Sequence, residues 1–290
     1  MTAPYGLTFA RIDVPDLEAS IAWYEYHVGL TLECRGDDWA QMRADVAHHA
    51  IELVAAPDRT DNLTRSVCFD VRAPGGLDAI RDRLEAAGLQ IDPIHERTAP
   101  YVTGGFAVSD PNGLVVELVT DYHEYAVPPP VELRPIDLVH PFLSTDRYEE
   151  TVDFYVDLLG FRPSDYVGDM TAFLRSEDRY HHSLAIRRDT EYYVAHLCFA
   201  MKSFDHVMRM RARALYKDIP IPSDLVNHSA SYSLAFYMLD DKHGPRIELC
   251  DGHRVLTMEE HEHTHVPRRM PVDPRNIDVW RAAADDWGRL

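Results

Sequence analysis

Along the chain, the spacing of apolar residues switches between the two-residue repeat of strands and the wider repeat of helices in a recurring order. Leu7 to Val14 reads as a strand. Asp16 to His27 carries apolar residues at helical spacing after Pro15, and Gly29 stops that helix. Strand-like pieces follow at Leu30–Cys34, Trp39–Met42 and His49–Val54. After Asp61 the order returns: Ser66–Val71 as a strand, Leu77–Ala87 as a helix ended by Gly88, then strands near Phe106–Val108 and Leu114–Val119. Asp110-Pro-Asn-Gly113 has the residue chemistry of a tight turn between the last two. The unit is strand, helix, three strands, and an α+β fold is expected.

The second half of the chain repeats the plan. Ile12-Asp-Val-Pro-Asp-Leu-Glu-Ala-Ser-Ile-Ala-Trp-Tyr24 leads into Val28-Gly29-Leu30, and Leu143-Ser-Thr-Asp-Arg-Tyr-Glu-Glu-Thr-Val-Asp-Phe-Tyr155 leads into Leu159-Gly160-Phe161, an offset of 131. Cys68-Phe69 answers Cys198-Phe199 at 130, and Val116-Glu117-Leu118 answers Ile247-Glu248-Leu249 at 131. Ordered matches at a nearly constant offset indicate duplication. The join is expected in Val127-Pro-Pro-Pro-Val131, where successive prolines stiffen an extended connector and prevent a helix. The expected domains are residues 1–126 and 132–290, with the unit occurring four times. A chain of 290 residues suits two domains of roughly 150 residues each.

Charge narrows the partners. Against 29 Lys and Arg stand 48 Asp and Glu, a formal charge of −19 that repels a phosphate backbone, so no nucleic-acid partner is expected. Cys34, Cys68, Cys198 and Cys250 form no CxxC pair and fit a reducing compartment. The first residues lack a basic region followed by an apolar stretch, and nowhere do about 18 apolar residues run together. A soluble cytoplasmic protein without a membrane partner is expected. There is no Gly-rich phosphate cradle, GxSxG elbow or HExxH helix.

The two halves differ at a few polar positions. His140 stands opposite Phe9, His196 opposite Ser66, and Glu248 opposite Glu117, so only the second half holds two histidines and a carboxylate. Such a set can occupy one face of an octahedral metal and leave the other positions open. Strand alternation puts His140 on one face with Leu138 and Phe142, and His196 with the small Cys198 and Ala200, while Leu197 and Phe199 point into a packed layer. One histidine in an apolar strand is ordinarily a hydrogen-bonded core residue. Burying Glu248 beside two histidines, however, calls for a cation to neutralise it. Glu117 reads as a paired charge at a strand end. His181-His182, His228 and Tyr237 add proton-transfer and oxyanion-donor chemistry nearby. His261-Glu-His-Thr-His265 reads as a solvated polar tail, and Trp280 and Trp287 as anchors of a helix over Asn276–Trp287.

Taken together, Val139-His-Pro-Phe-Leu-Ser-Thr145, Asp153-Phe-Tyr155 with Leu159-Gly160, Tyr180-His-His-Ser-Leu184, Ala195-His-Leu-Cys-Phe199, Asn227-His228 with Phe236-Tyr237, and Arg246-Ile-Glu-Leu249 resemble the motif series of the type I extradiol ring-cleaving dioxygenases. These enzymes belong to the vicinal oxygen chelate superfamily and cleave dihydroxybiphenyl and other catechols. The resemblance covers nearly the whole chain. It implies four βαβββ modules in two tandem barrel domains, the first without a metal site. It implies that His140, His196 and Glu248 hold iron(II), with manganese(II) as the alternative ion, that His182 is the acid–base histidine, and that His228 and Tyr237 hydrogen-bond the catecholate. A catechol and O₂ are the implied small-molecule partners, and a homo-oligomer is expected.

One departure bears on the site. Asp240-Asp-Lys-His-Gly244 replaces the family's Asp-Pro-x-Gly, and Asp240 to Glu248 is eight steps against seven from Asp110 to Glu117. Absorbed in the turn, the extra residue leaves Glu248 facing inward; carried into the strand, it turns the side chain to the other face. Absorption is expected, because Ile247 and Leu249 then stay on the packed face. Two alternatives are a metal-dependent isomerase or lyase of the glyoxalase kind, which uses Glu248 and the histidines and consumes no O₂, and a protein that sequesters an aromatic compound without a metal, against which the filled triad argues.

Overall fold

The computed structural model of the chain describes residues 1–59, 63–239, 242–273 and 277–280. Two mixed sheets carry the fold. The first consists of β1 (Gly6–Val14), β2 (Thr31–Arg35), β3 (Trp39–Arg43), β4 (Ile51–Ala55), β5 (Leu63–Asp70), β6 (Gly104–Ser109) and β7 (Val115–Thr120), in the order β2-β3-β4-β1-β5-β7-β6. The second consists of β8 (Pro135–Thr145), β9 (Arg162–Val167), β10 (Thr171–Arg175), β11 (Leu184–Arg188), β12 (Tyr193–Met201), β13 (Ser223–Asn227), β14 (Leu234–Met238), β15 (Arg246–Asp251) and β16 (Arg268–Met270), in the order β13-β14-β15-β12-β8-β11-β10-β9-β16. Each sheet has an antiparallel central pair, β1 with β5 and β8 with β12, and each member of the pair has a parallel partner on its outer side. The duplication read from the sequence is thus a duplication of sheet topology.

Helices α1 (Leu17–Trp23), α2 (Gly76–Ala86), α3 (Tyr148–Asp153) and α4 (Phe204–Tyr216) follow β1, β5, β8 and β12. Asp16 and Ser203 accept backbone N–H groups at the starts of α1 and α4, as N-cap side chains do. The helix expected over 16–27 is α-helical only to Trp23 and continues as one π-helical turn over Tyr24–Val28; Phe154–Leu158 repeats this after α3. Gly29 and Gly160 end these turns at φ +81° and +86°, where a side chain is strained. A Cβ at Gly29 would lie 2.3 Å from the Leu133 carbonyl oxygen, and one at Gly160 2.5 Å from that of Thr2. Each half therefore seats its helix stop against the backbone that leads into the other half's first strand.

Three modules have three strands after the helix. The second does not: between α2 and β6 only the bridge Asp92–Ala107 remains of the expected strand. Pro93 removes a donor there, and His95, Arg97 and Thr98 are used for side-chain bonding instead. The proline run 127–131 has neither helix nor strand.

A bulge corrects one expected face. Cys198 pairs with His140 and Phe199 with Leu138, so Val139 is the extra residue. Val139 packs with Cys198 on the inner face, whereas Leu138 joins Phe199 in the main core, and Leu138 does not share a face with His140. The polar tract at the C-terminal end is also not a solvated tail. It forms a π-helical turn over Glu260–Thr264, and β16 then pairs in parallel with β9. His261 is buried, with Arg175 Nε donating to its Nδ1 at 3.3 Å and its Nε2 3.3 Å from Glu177. Most of the helix expected over 276–287, Trp287 included, lies outside the described residues, and Trp280 is 40% exposed.

Candidate metal centre

Three strands in the middle of the second sheet bring the centre together. β8 supplies His140, β12 His196 and β15 Glu248, all buried. His140 Nε2 lies 3.2 Å from His196 Nε2, and Glu248 Oε2 lies 3.0 Å from His196 Nε2 and 3.6 Å from His140 Nε2. Donors about 2.1 Å from one ion and at right angles to each other are about 3.0 Å apart, so two of the three spacings match one face of an octahedron and the third, His140 to Glu248, is wider. Two imidazoles and one carboxylate also have the donor chemistry such an ion needs. A second donor set, His140, Cys198 and His253, shares one histidine. Unlike His196 and Glu248, Cys198 and His253 do not line the adjoining cavity.

Glu248 is inward because the turn before it absorbs the extra residue: Tyr237 pairs directly with Glu248, and Ile247 and Leu249 are fully buried in the main core. Asp240 and Asp241 themselves lie outside the described residues. Burial acts to raise the Glu248 pKa, but hydrogen bonds with His140, His196 and His228 outweigh it and hold the group well below the usual carboxylate range. Burial pushes His196 down to about 4.

In the first half an arginine occupies the corresponding place. Arg11, two residues beyond Phe9, puts its guanidinium among the corresponding strands. Its Nε donates to Glu52 at 2.6 Å, its Nη1 to Glu117 at 2.7 Å and Ser66 at 2.9 Å, and its Nη2 to Thr98 at 3.1 Å. Glu117 is thus a paired charge as expected, although deep in the sheet and not at a strand end. At the duplicated position of Arg11 the second half has Phe142, and among the described residues the ion pairs of Glu248 are with His140, His196 and His228.

His181 and His182 lie just before β11, and both are buried. His181 Nε2 meets Asp165 Oδ2 at 2.8 Å, and Asp165 also receives the backbone N–H of Arg268 at 2.7 Å and its guanidinium. A neutral His181 donates Nε2–H to Asp165, so its Nδ1 is an acceptor. His182 Nδ1, 3.1 Å away, is then the donor, and His182 Nε2 keeps its lone pair. Burial keeps both rings neutral by lowering their pKa values, His182 the further. The ring of His182 lies 4.2 Å from that of His140, and both line the cavity. Opposite them, His228 Nε2 is 2.7 Å from Tyr237 Oη and 3.4 Å from Glu248 Oε1. Burial, then the charge of Glu248, pushes the Tyr237 phenol well above its ordinary value, so it stays an O–H donor. All six residues singled out in the sequence therefore line one cavity of about 550 Å³, whose apolar walls include Phe142, Val167, Phe173, Leu225 and Ile277.

Sequence reasoning missed Asp165, Arg268 and His253. His253 is buried 4.5 Å from the His182 ring, and among the described residues neither of its nitrogens has a partner. A signal for the paired histidines existed: His48-His49 answers His181-His182 at an offset of 133, and the first pair has the same 3.1 Å Nδ1–Nδ1 contact.

A duplicated βαβββ-type chain with a two-histidine, one-carboxylate cluster at one of its two sheets defines a chelating metalloprotein class. The family model of the Glyoxalase/Bleomycin resistance protein/Dioxygenase superfamily matches residues 6–118 and again 137–249, and the chain belongs to that superfamily. It is 28% identical to an iron-dependent extradiol dioxygenase of Rhodococcus jostii (strain RHA1), over 86% of this chain and 90% of that one. Its fold is that of the Mn(II)-bound glyoxalase from Novosphingobium aromaticivorans, with a TM-score of 0.84 and 24% identity over 97% of this chain and 91% of that one. The homoprotocatechuate 2,3-dioxygenase from Arthrobacter globiformis also has a TM-score of 0.84, at 18% identity over 96% and 88%. Among the described residues, no helix is long and apolar enough to cross a membrane.

Proposed function

We propose that the chain is an extradiol dioxygenase that opens the ring of a catechol with O₂, using iron(II) held by His140, His196 and Glu248, to give a 2-hydroxymuconate-type product. The observation that supports this most is the convergence of those three donors on a cavity also lined by His182, His228 and Tyr237. The iron-dependent extradiol relative supports iron as the ion. When bound, such an ion offers open positions to two adjacent substrate oxygens and to O₂ and lets electrons pass between them.

The protein's own groups do the rest. The free Nε2 lone pair of His182 takes the proton of a substrate hydroxyl and returns it as the O–O bond breaks. Tyr237 Oη, with His228 Nε2 as its partner, donates to the ring oxygen that becomes a carbonyl. Phe142 and Phe173 bound the space for the ring and exclude water. The cytoplasmic, homo-oligomeric state expected from the sequence belongs to this reading.

The test is anaerobic loading with Fe(II), then air and a panel of substituted catechols in an oxygen-electrode cell. One O₂ consumed per catechol, with a yellow product, is the expected result. The glyoxalase neighbour gives the competing isomerase or lyase reading its support. Turnover without oxygen uptake would establish that reading and overturn the proposal.

A further inference from the structure

Arg246 is the unusual charge in the cavity. It starts β15 two residues before Glu248, on the same face and about 7 Å away along the strand, and it pairs in register with His196. Its side chain lines the cavity. Among the described residues it makes no hydrogen bond or ion pair, and its Nε is fully buried without a partner. A guanidinium at a cavity wall without a protein partner is costly to keep there, and a carboxylate entering the cavity would relieve that cost.

The other charges at this cavity are already committed. Arg187 donates to Asp189 at 2.7 Å and to the Tyr193 hydroxyl at 2.8 Å. Asp224 is gripped by Arg211 through two bonds of 2.6 and 2.7 Å. Asp278 accepts the backbone N–H groups of Asn227 and Trp280. The fold itself does not require a cation at position 246, because the duplicated strand β7 has Val115 there, facing Ser66 in the same register.

We propose that Arg246 determines specificity by binding an anionic substituent of the substrate, and that the natural substrate is a catechol bearing a carboxylate on a short side chain. This rests on the proposed ring-cleaving activity and adds the substrate class to it. A guanidinium matches a carboxylate with two parallel N–H donors, and the match is strongest where water is excluded. Arg246 lines the same cavity as His140, His196 and Glu248, so a diol at those three donors and a carboxylate at the guanidinium can belong to one substrate.

The experiment compares, for the Fe(II)-loaded enzyme, kcat/KM for catechols with carboxymethyl or carboxyethyl substituents with that for their methyl esters and for unsubstituted catechol. Dissociation constants are measured in parallel by anaerobic calorimetric titration. The carboxylates are expected to exceed their esters by on the order of 10- to 100-fold in both measurements. Arg246→Gln is expected to bring that ratio close to one, and Arg246→Lys to restore part of it. Cleavage of unsubstituted catechol without any preference for carboxylates, or a ratio unchanged in Arg246→Gln, would overturn this inference alone. No oxygen uptake with any catechol would instead remove the activity on which it rests.

Discussion

Replacing Arg11 by Met keeps much of the stem's volume and removes the cation from the first half. The side chains of Glu52 and Glu117 are 0% and 1% exposed, so both carboxylates would lose their shared partner out of reach of bulk water. Burial alone would raise the Glu52 pKa, yet the charge of Arg11, with hydrogen bonds from Gln41 and Arg11, holds it down to about 2 from 4.5. A depression of that size is worth about 3 kcal/mol of folding stability, within the ~3–5 kcal/mol that breaking a buried ion pair costs. Arg97, 2.8 Å from Glu52, keeps the loss at the lower end. In the native protein this contribution is complete above about pH 4.5 and disappears as pH falls towards 2. In the variant the deserted carboxylates bind protons more readily folded than unfolded, so acid favours the folded form and the deficit shrinks. Urea unfolding at pH 7.5 and pH 5 is the assay, with iron content of the second half expected to match the wild type. A loss under about 1 kcal/mol, or one identical at both pH values, would refute the reasoning.

Three other outcomes follow from the same geometry. His140→Ala and His196→Ala are expected to remove iron and activity together, and elemental analysis showing full iron occupancy in either would discard the ligand assignment. His182→Phe should keep iron and anaerobic catechol binding while kcat falls on the order of 10²- to 10⁴-fold, measured by stopped-flow oxygen consumption. Stripping the metal should lower the thermal midpoint, by the equivalent of about 2.7 kcal/mol relative to protein held at a free-ion concentration 100 times its dissociation constant; an unchanged midpoint would mean that no ion binds the folded state selectively.

Much of the fold was legible because the sheet strands repeat in period and in order, and a duplicated pattern checks itself. The inward register of Glu248 could be argued from Ile247 and Leu249, whose apolar side chains had to occupy the packed face. Local patterns have no access to features made by distant contacts. The bulge at Val139 changes which neighbours share a face with His140, and nothing in Leu138-Val-His140 announces it. Asp165 and Arg268 are 103 residues apart and meet only because β16 adds to the sheet edge. The strand missing before β6 was masked by the repeat itself, which invited a third strand where Pro93 and the bonding of Arg97 and Thr98 prevent one.

The attachment of β16 has a consequence for the making of the enzyme. Asp165 orients His181, and Arg268 is what holds Asp165 from the far end of the sequence. During synthesis, His140, His196 and Glu248 leave the ribosome before Arg268 does. The strands that carry those three side chains are therefore made before the residue that anchors Asp165 against His181, and docking of β16 completes that hydrogen-bonded chain.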